Sequence, residues 1–140
     1  MTQTPITTPE AQPRRTGADH PLALLTTGVA GLTYLVWRAA GVDPVVRSGQ
    51  GGQHIGLVSV LVTAAVVAVA GLGLLRFIER RDARALRTWT LLASLVWACS
   101  FLGPLGAVDL ASGLALASLH VVVGAAVLAG ARWNRLRGVA

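Results

Sequence analysis

The sequence is poor in charged residues, in aromatic residues and in cysteine. Of its 140 residues only 13% are charged and 5% aromatic, whereas 54% are hydrophobic. An ordinary soluble domain is about 25% charged, so this chain has too little polar sequence to cover a small soluble core. The single cysteine, Cys99, lies in an apolar run, which excludes an intramolecular disulfide and indicates no reactive thiolate. The composition indicates one compact membrane domain.

Charge is absent from two long stretches. Ile55 to Leu75 and Thr88 to Val108 each contain 21 residues without a charged side chain, and as helices each would be about 30 Å long, which matches the hydrocarbon thickness of a bilayer. Between them, Arg76 to Arg87 holds five arginines in twelve residues. Two further apolar runs complete the pattern. It predicts an all-α membrane protein, a four-helix transmembrane bundle with helices over about 21–40, 55–75, 85–103 and 110–131.

The arginine distribution predicts the orientation of the bundle. Ten of the twelve arginines fall in three segments, 14–15, 76–87 and 132–137, which alternate with the apolar runs as the positive-inside rule requires. We therefore predict a plasma-membrane protein with both termini in the cytoplasm: a disordered tail at 1–19, the four-helix domain at 20–134 and a C-terminal tail at 135–140. The same distribution argues against nucleic acid as a partner, because the basic residues form no patch on a soluble fold.

Residues 41–54, GVDPVVRSGQGGQH, form the only sizeable segment that this threading places outside the cell. The Gly-rich stretch 49–52 separates two short runs and is typical of a β-hairpin, although a flexible loop is equally compatible with it. Two charge pairs are candidates for the rim of an outward-facing site: Asp43 with Arg47, and Asp109 with Arg38. The alternative is a solvated loop, with Asp109 as the N-cap of the fourth helix.

His120 is the only ionisable side chain deep in a predicted span, and such a residue is by default a functional candidate. It shares one helix face with three small residues, Gly113, Ala117 and Gly124, which should let another helix approach closely. Thr63, in the second span, is the expected hydrogen-bond partner. Two interpretations stay open: His120 hydrogen-bonds between helices, or it relays protons or, in apposed chains, ligates haem or a metal.

Catalysis would need titratable groups that converge in a pocket. The predicted spans contain no carboxylate, and the three histidines are predicted in different compartments, with His20 inside, His54 outside and His120 within the membrane. No Gly-rich phosphate loop follows a strand. We therefore expect neither enzymatic activity nor a resident cofactor or metal. The sequence predicts a non-enzymatic protein of the lipid bilayer that packs with itself or with a membrane partner; the alternative is a small transporter or channel subunit, built by oligomerisation, in which His120 is proton-linked or contacts substrate.

Three stretches resemble a known family. They are RTWTLLASLVWACSFLGPL at 87–105, LALASLHVVVGAAVLAG at 114–130, and GVD at 41–43 ahead of the Gly-rich stretch. They resemble a family of small actinobacterial four-helix membrane proteins that is classed only as a domain of unknown function. The likeness covers about residues 20–131. It supports the four-span topology and implies no activity.

Overall fold

The computed structural model describes residues 19–48 and 51–137. Within them lie helices α1 (Asp19–Ala39), α2 (Leu57–Glu79), α3 (Ala85–Ser100) and α4 (Leu110–Arg137), strands β1 (Val45–Ser48) and β2 (Gly51–His54), and a 3-10 turn (Pro104–Gly106). All four helices, α3 together with its 3-10 extension, are long and apolar enough to cross a membrane. The predicted four-helix membrane fold is confirmed, and so is the hairpin between the first two helices. The predicted N-terminal tail, apart from Asp19, lies outside the described residues.

The helices extend further at one end of the bundle than predicted. This end, here called the terminal end, holds the start of α1, the α2–α3 connection and the last turns of α4. Helix α1 begins at Asp19, which was assigned to the tail; α2 continues past Leu75 to Glu79; and α4 reaches Arg137, inside the predicted C-terminal tail. The physical reason is that charged residues in these extra turns pair with one another, as described below.

The opposite end, here called the hairpin end, holds the hairpin and the α3–α4 connection. Helix α3 stops at Ser100, and the chain then turns into the 3-10 segment that begins at Pro104. Proline has no N–H and its ring collides with the preceding turn, so a continuous helix through this residue is unfavourable. Helix α2 begins at Leu57, two residues later than predicted, and Ile55 closes the hairpin by donating its N–H to the carbonyl of Pro44 at 2.9 Å.

Helices α1, α2 and α4 form the packed part of the bundle. One buried cluster lies in its terminal half and comprises Leu22, Ala68, Leu72, Leu75, Trp89, Val127 and Ala131. A second lies nearer the hairpin and comprises Ala30, Tyr34, Val60, Ala64 and Leu119. Small residues of α2 belong to both clusters, which allows neighbouring helices to approach closely. Helix α3 stands apart, since only its Ala85 and Trp89 are buried.

Two tryptophans attach α3 to its neighbours. The indole N–H of Trp89 donates to the carbonyl of Gly71 on α2 at 2.8 Å, and that of Trp97 donates to the carbonyl of His120 on α4 at 2.7 Å. A buried tryptophan combines a large apolar surface with one donor that needs a partner. These bonds therefore attach α3 to α2 through Trp89 and to α4 through Trp97.

The hairpin is docked on the bundle through its backbone. Its strands are antiparallel, with Val45 opposite His54 and Ser48 opposite Gly51. Val45 accepts a hydrogen bond from the N–H of Val108 at 3.2 Å and donates its own N–H to the hydroxyl of Ser112 at 3.1 Å. The segment is thus a fixed element that covers the α3–α4 connection.

Candidate functional site: a groove between α2, α3 and α4

A groove of about 560 Å³ lies between α2 and α3, with α4 as its floor. Its walls are formed by Ile55, α2 from Ser59 to Leu74, α3 from Trp89 to Ser100 and α4 from Leu116 to Leu128. The long axis of the groove therefore follows the helices. Ligand sites for small molecules are usually concave, mostly apolar and of this volume, with a few polar groups that fix orientation.

The groove has a polar half and an apolar half. The polar side chains among its walls are Ser59, Thr63, Ser100 and His120, all toward the hairpin end, and the indole N–H of Trp97 beside them is already bonded to α4. The walls nearer the terminal end are formed mainly by apolar side chains: Val67, Ala70, Leu74, Leu92, Val127 and Leu128. A molecule that matches these walls has one polar end and one apolar end.

His120 lines the groove, and one of its ring nitrogens is bonded within its own helix. Its Nδ1 lies 2.7 Å from the carbonyl oxygen of Leu116, one turn earlier in α4. A carbonyl can only accept, so Nδ1 carries the proton and, in the neutral imidazole, Nε2 is an acceptor. The ring packs beside Phe101, with the two ring centroids 6.1 Å apart. Among the described residues no donor is hydrogen-bonded to Nε2.

Thr63 lies in the same groove but is not bonded to His120, so the prediction of a direct hydrogen bond between them is wrong. The side chain is exposed on the groove face of α2, whereas His120 satisfies its Nδ1 within its own helix. Within residues 19–48 and 51–137 the Thr63 hydroxyl forms no hydrogen bond. Other helical threonines behave differently: Thr26, Thr27, Thr33 and Thr90 all donate to the carbonyl four residues earlier.

The small residues that share a face with His120 do admit a close neighbour. A Cβ atom built on Gly124 would lie 2.0 Å from Nε1 of Trp97, and one built on Gly113 would lie 3.6 Å from Cβ of Ala107. Ala117, between them, is half-buried. The predicted stripe therefore faces α3 and the α3–α4 connection, and the group that fills its tightest position is the indole of Trp97.

The charge pairs at the hairpin end differ from those predicted. Asp43 pairs with Arg38, at the end of α1, and with Nδ1 of His54, 2.9 Å away on β2. Among the described residues Arg47 forms no ion pair, because strand β1 carries it away along the hairpin, opposite Gly52. Partial desolvation raises the pKa of Asp43, but the hydrogen bonds from His54 and Arg38 outweigh it, and the pKa of this carboxyl is lower than usual.

Asp109 is a helix cap and forms no pair with Arg38. Its Oδ1 accepts the backbone N–H of Ser112 at 2.8 Å and its Oδ2 accepts the hydroxyl of Ser112 at 3.1 Å. The backbone bond lowers the pKa of Asp109. This is the N-cap alternative that the sequence left open, and it leaves the rim of the hairpin end to Arg38, Asp43 and His54.

Sequence reasoning missed a charged cluster at the terminal end, formed by Asp19, Arg76, Glu79 and Arg135. Arg135 donates through both terminal nitrogens to the two carboxylate oxygens of Asp19, at 2.8 and 3.1 Å, and through Nε to Glu79 at 2.7 Å. Arg76 donates to Asp19 at 2.6 Å. The predicted threading places the ends of α1, α2 and α4 at one membrane face, and this was the only signal that could have indicated the cluster.

The described residues offer no set of three His, Cys, Asp or Glu side chains arranged to hold a metal ion. The described groove residues offer a ligand hydrogen-bonding side chains and apolar contacts.

Comparison with known proteins identifies the family of this chain. A family model described as a family of unknown function, DUF6069, matches residues 10–137. The chain belongs to this family. No curated protein and no solved structure matches the chain.

Proposed function

We propose that this member of DUF6069 is a non-enzymatic protein of the plasma membrane that binds a membrane-embedded partner in the groove between α2, α3 and α4. The observation that carries the proposal is the groove itself, with a volume of about 560 Å³ and mostly apolar walls. Its open side faces the bilayer, because both helices that border it span the membrane. A partner can therefore enter from the lipid without crossing an aqueous phase.

The orientation follows from the arginines. Ten of the twelve lie in segments at the terminal end or in the terminal tails, which supports a cytoplasmic location for both termini. The hairpin is then outside the cell, and the polar half of the groove lies in the outer half of the membrane.

Ligand-induced stabilisation tests the proposal. A ligand that binds only the folded state raises its unfolding temperature, so a lipid extract of the native membrane should stabilise the purified wild-type protein. Val67→Trp should remove this effect, because Val67 lines the groove and an indole there would fill it. Val69→Trp is the matched control, since Val69 is exposed on the same helix but is not part of the groove wall. Equal stabilisation of the two variants would contradict the proposal.

A small transporter or channel subunit is the second candidate, and one observation favours it. His120, an ionisable residue in the membrane, lines the groove and leaves Nε2 without a donor among the described residues. Reconstituted protein would then carry a solute or protons faster than empty liposomes, and His120→Leu would abolish the flux. Absence of flux across a broad panel of solutes favours the binding protein.

The protein could also pack with itself through α3. The observation in favour is that α3 buries only Ala85 and Trp89, so most of its surface is open to a second copy. Crosslinking between copies in native membranes tests it. A crosslinked dimer that persists in Val67→Trp would place self-association outside the groove.

A further inference from the structure

Two polar groups in the groove have complementary hydrogen-bonding capacity that no described residue uses. The hydroxyl of Thr63 can donate, and Nε2 of His120 can accept because Nδ1 is committed to the carbonyl of Leu116. Both side chains line the same groove, yet they are not bonded to each other. An unsatisfied polar group in hydrocarbon is costly, so a molecule that bridges the two would gain two hydrogen bonds.

A group that bridges the two side chains must donate to Nε2 of His120, whereas the Thr63 hydroxyl can donate or accept. A hydroxyl donates and accepts through one oxygen. A carbonyl or ether oxygen cannot donate to Nε2. An ammonium can donate and a carboxylate can accept, but either charge would be expensive at this depth. Among uncharged groups with one polar atom, the hydrogen-bond pattern therefore favours an alcohol.

The rest of the groove accommodates a single apolar chain. Thr63 and Leu74 are eleven residues apart on α2, which corresponds to about 16 Å along the helix. Over this length the walls are mainly apolar, with Val67 and Leu74 on α2 and Val127 on α4. A chain of this length, tethered at the polar half, would extend toward the terminal end.

We propose that the ligand of the groove is a lipid alcohol, with its hydroxyl between Thr63 and His120 and one apolar chain directed toward Leu74. This inference rests on the proposed function, because it names the chemical class of the partner that the groove binds.

Equilibrium binding of tritiated hexadecanol to the purified full-length protein tests the inference. The comparison compound is hexadecyl methyl ether, which keeps the chain and an acceptor but cannot donate. We expect the alcohol to bind about tenfold more tightly than the ether, the change expected for loss of one hydrogen bond of about 1 kcal/mol or slightly more.

Four variants separate the two hydrogen bonds from packing. Thr63→Val and His120→Leu should each weaken alcohol binding about tenfold. Thr63→Ser and His120→Gln keep groups that can donate or accept and should bind the alcohol as the wild type does. His120→Leu should bind the ether with unchanged affinity, because the ether donates no hydrogen bond to Nε2.

The outcomes distinguish this inference from the broader proposal. Equal affinity for alcohol and ether would overturn the hydroxyl assignment while leaving the groove as a binding site for apolar chains. If neither compound bound, the assignment of a lipid alcohol as the ligand would be overturned. If the membrane extract then still stabilised the wild type but not Val67→Trp, a groove ligand of another class would be supported.

Discussion

The two ends of the bundle use the same residue types, aspartate and arginine, in different surroundings. At the terminal end the side chain of Asp19 is 6% exposed and is held by Arg76 and Arg135. At the hairpin end the side chain of Asp43 is 46% exposed and meets Arg38 and His54. A buried charge must be fully paired or it destabilises the fold, whereas an exposed pair contributes little. Loss of one partner should therefore destabilise the terminal end more than the hairpin end, where backbone hydrogen bonds of Val45 dock the hairpin.

This difference also explains why a groove opens beside α3. The terminal-end cluster joins α1, α2 and α4 and includes no residue of α3. Helix α3 is attached by the indole bonds of Trp89 and Trp97 and buries little of its own surface. Three helices thus form a fixed frame, and the fourth borders a groove that can receive a ligand.

The largest expected difference between the two ends is in their labelling by a membrane-impermeant reagent, because we propose that they face opposite sides of the membrane. In a Cys99→Ser background, a cysteine at Ser48 should react with an impermeant thiol reagent on intact cells, and one at Thr7 should react only after permeabilisation. Ser48 lies in the hairpin, whereas the tail that contains Thr7 precedes α1. The reverse pattern of labelling would show that the proposed orientation is inverted.

Breaking the terminal-end cluster should cost more stability than any change at the hairpin end. Asp19→Asn removes the carboxylate that both Arg135 and Arg76 contact, and we expect a loss of about 2 kcal/mol or more, between the values for exposed and for fully buried pairs. Thermal unfolding in detergent measures it, with Asp43→Asn as the matched control. Equal destabilisation by the two variants would remove the distinction between the ends.

A second change tests how α3 is attached. Trp89→Phe keeps most of a fully buried ring but removes the donor to Gly71, so the expected loss is about 1 kcal/mol for the hydrogen bond, with an added cost for the smaller ring. The same unfolding assay applies. Both tryptophans line the groove, but only Trp97 lies beside its polar side chains, so Trp97→Phe should change the affinity of a groove ligand for the polar half more than Trp89→Phe does.

The smallest effect is the pH dependence of the hairpin. The pKa of Asp43 is lowered below its ordinary 3.8. The stability that the Asp43 carboxylate adds to the hairpin is therefore fully present above pH 3.8, and it is lost as the pH falls through the lower pKa of the folded state. Amide exchange protection of Ile55, which closes the hairpin onto Pro44, should be constant from pH 7 to about pH 5 and should decline only below about pH 4. Asp43→Asn should remove this decline, and a decline that persists in the variant would assign it to another group.

The helices and the hairpin could be predicted because each depends on local properties. Uncharged runs long enough to cross a bilayer predicted the four spans, and a Gly-rich stretch between two short runs indicated the hairpin. Pro104 directly follows the predicted third span, 85–103, and its effect on the backbone is likewise local.

The pairings within the site could not be predicted, because they depend on the rotation and tilt of whole helices. Asp19 meets Arg135 across 116 positions of sequence, and nothing local to either residue indicates the other. Asp43 was expected to pair with Arg47, but the hairpin brings His54 beside it instead. Thr63 was expected to bond to His120, and both side chains do line the groove, but His120 is bonded to Leu116 within its own helix.

Photo-crosslinking in native membranes tests the central claim, that the groove holds a membrane-embedded partner, most directly. A benzophenone amino acid is placed at Val67, on the groove wall, or at Val69, on the same helix but outside it. We expect a discrete adduct from position 67 that excess hexadecanol suppresses, and only diffuse phospholipid labelling from position 69. Identical labelling from both positions, unaffected by the alcohol, would show that the groove is ordinary lipid-facing surface.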